Sequence, residues 1–94
     1  MKLMIVRSAA AAEIEEAFGW YESQRLGLGA EFREELRATF ARISQNPLAY
    51  QVLYRKTRRA FLRSFPYGVF YRIYDEAIVI ASVMHGRRHP RHWR

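Results

Sequence analysis

YGVFYRIYDEAIVIASVM, residues 67–84, decides the fold. Its first half, Tyr67 to Tyr74, is dense in aromatic and β-branched residues, a composition that suits a pleated strand. Asp75-Glu76 is short enough to turn a hairpin, although it lacks the favoured glycine. Ala77 to Met84 is apolar at both parities, which predicts a strand inside a sheet and not at its edge. Working upstream, Pro66 makes a break, Arg59 to Phe65 predicts another strand, and Tyr50 to Tyr54 a short strand or extended approach.

The first half of the chain has the other period. Residues 2–7, KLMIVR, read as an opening strand. Ser8 is placed to cap a helix that runs to about Arg25, with Ile14, Ala17, Phe18 and Tyr21 as its apolar stripe and Glu13, Glu15, Glu16 and Glu22 on its wet side. Gly27 and Gly29 permit a tight turn. A second helix from about Gly29 to Ser44 carries Phe32, Leu36, Phe40 and Ile43, and Asn46-Pro47 ends it. The expected fold class is α+β: an N-terminal strand, then an antiparallel helical hairpin packed on a small, mainly antiparallel β-sheet. The helices should meet Val69, Tyr71, Ile73, Val79, Ala81 and Val83. Phe70, Tyr74, Ile80 and Met84 should then form a second apolar face that needs a cover.

A length of 94 residues predicts one domain spanning 1–94. The absence of cysteine rules out disulfides and thiolate metal sites and points to a reducing, cytoplasmic setting. Arg7 interrupts the N-terminal apolar run too early for a signal peptide, and no window is apolar enough to span a membrane. The net charge is +7, unevenly spread. Residues 1–50 hold six Lys/Arg and seven Glu, whereas residues 51–94 hold ten Lys/Arg against Asp75 and Glu76. Such a one-sided field fits an acidic protein or a nucleic acid as partner. Fourteen of the sixteen basic residues are arginine, whose planar fork suits carboxylate and phosphate.

Two segments could carry chemistry. RKTRRAFLR, residues 55–63, sets Arg58, Arg59 and Arg63 around a strand, where they could grip phosphates or simply protect an edge. HGRRHPRHWR, residues 85–94, offers His85, Arg87, Arg88, Arg91 and Trp93 for polyanion contact and base stacking. His85, directly after the last strand, is the candidate general acid or base. A zinc site from His85, His89 and His92 is not expected, because structural zinc takes four closed ligands. No phosphate-binding glycine loop or nucleotide fingerprint is present, so no metal or cofactor is expected.

The stretch RRAFLRSFPYGVFYRIYDEAIVIASVMHGRRHPRHW, residues 58–93, resembles the RelE/ParE superfamily of bacterial toxin–antitoxin toxins. Arg58-Arg59, Phe65-Pro66-Tyr67, Val69-Phe70-Tyr71-Arg72, Ile80-Ala81, His85, Arg87-Arg88, Pro90 and Trp93 carry the likeness. GAEFREELRATFARISQNPLAY, residues 29–50, resembles the second helix of that superfamily. The resemblance, closer to the ParE-like branch, implies a cytoplasmic growth inhibitor of a type II module. It would be held in a hetero-oligomer by a cognate acidic antitoxin that covers Phe70, Tyr74, Ile80 and Met84. The implied action is poisoning of DNA gyrase, without enzymatic activity. The alternatives are a RelE-like, ribosome-dependent endoribonuclease that cuts mRNA in the A site, using His85, Arg63 and Arg72, and a non-catalytic interaction protein or inactive homologue.

Overall fold

The computed structural model describes residues 2–86. The elements run β1 (Leu3–Val6), α1 (Ser8–Gln24), α2 (Leu28–Gln45), a single 3-10 turn (Pro47–Ala49), β2 (Val52–Tyr54), β3 (Thr57–Phe61), β4 (Tyr67–Ile73) and β5 (Ala77–His85). The five strands form one sheet in the order β1-β5-β4-β3-β2. Only the β1–β5 pair is parallel. The fold is thus the expected α+β arrangement, and the doubly apolar β5 is indeed interior. It lies between β1 and β4.

The helical hairpin closes on one side chain. Gly27 sits at φ 92°, a left-handed conformation that glycine adopts without cost from a Cβ. The Glu22 carboxylate accepts hydrogen bonds from the N–H groups of Gly27 and Gly29, both at 2.9 Å, and so satisfies donors at the start of α2. A Cβ on Gly29 would lie 2.8 Å from the Phe18 ring. Arg7 occupies the N-cap position of α1 without a side-chain bond, so Ser8 begins the helix and does not cap it.

The helices bury Ala10, Ala17, Tyr21, Phe32, Leu36 and Ile43 against Ala60, Leu62, Val69, Tyr71, Ile78, Ile80 and Val83. Full burial of each large side chain is worth about 1.5–3 kcal/mol. Tyr21, Phe32, Phe65 and Tyr67 form an aromatic cluster with ring centroids 4.9–6.1 Å apart. The aromatics around Pro66 therefore fasten the hairpin to the sheet more than they fasten strand to strand.

One irregularity changes the expected faces. Tyr71 pairs with Ile80, but Phe70 pairs with Ser82, so β5 carries an extra residue there. A bulge shifts side-chain parity by one position. Ile78 and Ile80 consequently join Val83 in the core, where Val79 and Ala81 had been expected. Ile80, expected on the second face, is fully buried beneath the helices. Phe70 and Met84 lie outside that core cluster yet are also buried, and of the four expected surface residues only Tyr74 is exposed. The apolar surface of the second face lies instead at its two sides, on β1, where Leu3 is 69% and Ile5 45% exposed, and at Phe61 of β3, 48% exposed.

Candidate functional site

β3 alternates its arginines between the two faces of the sheet. Arg58 pairs with Tyr71 on the helix side, and its Nη1 donates to the carbonyl of Tyr50 at 2.6 Å and, at 3.4 Å, to that of Leu48. It tethers the segment before β2. Arg59 pairs with Phe70 on the second face. Its guanidinium lies 4.3 Å from the centre of the Phe61 ring and 6.0 Å from that of Phe70, within cation–π range. Arg72, also on the second face, donates from Nε to Thr57 Oγ1 at 3.0 Å. Arg59 and Arg72 thus form an arginine-bearing surface over a buried phenylalanine.

Arg63 was expected on β3, but β3 ends at Phe61. The strand stops because its neighbours are claimed elsewhere. The Ser64 N–H donates to both oxygens of Glu35, at 2.8 and 2.7 Å, and Arg42 donates to the Phe61 carbonyl at 3.1 Å. Arg63 is therefore an exposed loop residue in a turn pinned to α2.

His85 pairs with Tyr67, whose ring stands edge-on at 5.6 Å. That parity turns it to the helix side. There it borders an open groove of about 740 Å³, lined also by Glu16, Ala17, Trp20, Tyr21 and Pro66. Trp20 and Glu16 bring one exposed indole and one exposed carboxylate to its rim. Sequence reasoning missed this groove because it is assembled from α1 and the β3–β4 turn, distant in the chain; the exposed Trp20 on an otherwise amphipathic helix was its only signal.

Of the proposed nuclease residues, Arg72 and His85 do not converge, whereas Arg63 follows Leu62, which bonds Tyr67, the strand partner of His85. Arg72 lies five residues along β4 from Tyr67, which faces His85. At about 3.3 Å per residue the separation is roughly 17 Å, and the two side chains sit on opposite faces. Arg59 shares the face of Arg72, not that of His85. Among the described residues no group of three or more His, Cys, Asp or Glu could hold a metal ion. Arg87, Arg88, Arg91 and Trp93 lie outside the described residues. No helix among the described residues is long and apolar enough to cross a membrane.

Glu13 is a further residue that periodicity misassigned. It is turned inward, and its Oε1 accepts from Ser82 Oγ at 2.7 Å and from the Val83 N–H at 2.9 Å. β1 ends at Val6, so beyond Ile80 the edge of β5 has no strand beside it. The carboxylate of α1 takes the place of that missing strand and satisfies the exposed amide.

Comparison with known proteins bears on this geometry. The family model for the ParE toxin of the type II toxin–antitoxin system parDE matches residues 4–90. Toxin ParE2 from two strains of Mycobacterium tuberculosis, CDC 1551 / Oshkosh and H37Rv, is 45% identical over 53 residues, which is 56% of this chain. The chain spans about half the length of these curated relatives, 50% in each case. A solved chain of the chromosomal ParDE system of P. aeruginosa superposes with a TM-score of 0.79 at 13% identity, covering 90% of this chain and 96% of that one. The toxin–antitoxin complex RelBE of E. coli gives 0.70 at 20% identity, covering 94% and 100%. At these identities the structural likenesses show a shared fold.

Proposed function

The chain belongs to the ParE toxin family of type II toxin–antitoxin systems, and on that premise we propose that it is a cytoplasmic growth inhibitor that poisons DNA gyrase and is neutralised by an acidic antitoxin. The observation that carries the choice of gyrase is the separation of His85 from Arg72, one of the two arginines of the nuclease alternative, on opposite sheet faces. Metal-free cleavage of RNA needs a base at the 2′-hydroxyl and cations at the phosphate within one site, because most of the rate comes from positioning and fixed charge. His85 and Glu16 share one groove, with Arg72 on the other face of the sheet.

Two features support an acidic partner. The chain carries +7 overall, concentrated after residue 50. Its sheet leaves apolar residues of β1 uncovered, a surface that monomeric proteins seldom present alone.

The test is a supercoiling assay with purified gyrase, ATP and increasing amounts of the chain. Loss of supercoiling with trapped cleavage complexes is expected. Unchanged supercoiling at saturating protein overturns the reading. So do mRNA cuts in the A site of programmed ribosomes that vanish on His85→Ala, which would establish the endoribonuclease instead.

A further inference from the structure

Beyond the end of β1, α1 begins alongside β5 and leaves a cavity of about 330 Å³ on the second face. Arg7, Ala9, Glu13, Arg72, Ala81 and Ser82 line it. Two arginine side chains thus line one small space. Glu13 offsets their charge only in part and pairs with neither. Its Oε1 is engaged by Ser82 and Val83, and neither arginine approaches a carboxylate within ion-pair distance among the described residues. Arg72 is held by its Nε bond to Thr57, which leaves its terminal nitrogens for a fork-like contact.

The cavity adjoins apolar surface in a defined register. Ile5 pairs with Val79, and Val79 pairs with Arg72, so these three side chains form one row across β1, β5 and β4. The row spans about 10 Å at the usual strand spacing. Ile5 is exposed and Val79 half-buried. Resting on the antitoxin reading above, the geometry points to this row and cavity as the seat of an extended acidic segment of the partner. Apolar side chains of that segment cover Ile5 and Val79. A carboxylate two residues further on, and hence on the same face, enters between Arg7 and Arg72. A peptide carboxylate and a nucleic-acid phosphodiester each carry one negative charge, so it is the adjoining apolar row of Ile5 and Val79 that favours the peptide.

The experiment titrates the full-length, ¹⁵N-labelled chain with a blocked peptide, Thr-Val-Thr-Val-Thr-Glu-Thr, and with its counterpart bearing Gln for Glu. Amide shifts at Ile5, Val79, Ala81 and Ser82 are expected with the glutamate peptide. Binding should weaken about tenfold with the glutamine peptide and with Arg7→Gln or Arg72→Gln, the scale of one charge-assisted contact. Arg7 is exposed and outside the core, so Arg7→Gln reads the contact without disturbing the fold. Equal affinity for the two peptides, no binding, or shifts confined to the groove beside His85 overturns the inference. Displacement of the peptide by oligothymidylate at lower concentration overturns it in favour of a nucleic-acid site. No gyrase enters the titration, so failure here and failure of the supercoiling assay are separate results.

Discussion

Tyr71 is fully buried, yet it ends in a hydroxyl. That group donates to the Pro47 carbonyl at 2.6 Å and so ties the centre of β4 to the turn that follows α2. Burial pushes its pKa up to about 12; Arg58 pulls it down and Tyr50 adds to the rise. An unfolded tyrosine releases its proton near about 10. Below that pH both states hold the proton and the contribution is complete. Between about 10 and about 12 the unfolded chain binds fewer protons, so stability falls as pH rises. Tyr71→Phe should cost about 1 kcal/mol at neutral pH, since it removes the bond to the half-buried Pro47, and should make the alkaline fall shallower. Urea unfolding of both proteins at neutral pH and at about pH 11 checks this; parallel curves at both would refute it. The sequence placed Tyr71 on the helix side, but its bond to Pro47 was not legible, since the partners lie 24 residues apart. Glu13 was illegible for a related reason. Its position on the helical wheel says wet, whereas the edge it caps exists only because β1 is short.

At the scale of elements, the helical hairpin was legible almost to its boundaries, because Gly27, Gly29 and Asn46-Pro47 are local signals. The glycines also carry a prediction. Gly27→Ala must place a Cβ at φ 92° and should cost about 1 kcal/mol. Gly29→Ala keeps ordinary backbone angles but drives its methyl into the Phe18 ring and the Glu22 carboxylate, at 2.8 and 2.9 Å. It should cost more than Gly27→Ala, about 1–3 kcal/mol, because both the packing and the carboxylate bridge give way. Thermal melts of the two variants rank them, and a Gly29→Ala protein as stable as the parent would show that Phe18 yields freely. The sheet faces were less legible than the helices. AIVIASVM is apolar at every position but Ser82, so its pattern cannot show where a bulge inserts the extra residue. The bulge moved Ile80 from the expected partner surface into the core. It also set Ile5, Val79 and Arg72 in the row on which the proposed docking rests.

Across the whole molecule the two edges of the sheet are treated differently. β2 is three residues long, its pairing is irregular between Val52 and Tyr54, and it leads into Arg55 and Lys56. Short length, irregularity and positive charge all hinder pairing with another chain. β1 is also short, at four residues, but it is regular and uncharged within its span. Leu3, Met4, Ile5 and Val6 are all apolar, and charge appears only at the flanking Lys2 and Arg7. An apolar edge of this kind is a template for strand addition and self-association. The free chain should therefore associate with itself as its concentration rises, and the association should run through β1. Leu3→Lys puts a charge on the most exposed residue of that strand, at 69% exposure, where little packing is lost. Light scattering over a concentration series should show the parent growing in apparent mass and Leu3→Lys remaining near one chain, with the two unfolding at similar temperatures. Equal growth for both proteins would move the sticky surface away from β1, to the groove beside Trp20 and His85. A loss of growth together with a large fall in melting temperature would mean that Leu3 supports the fold itself, and the edge argument would fail.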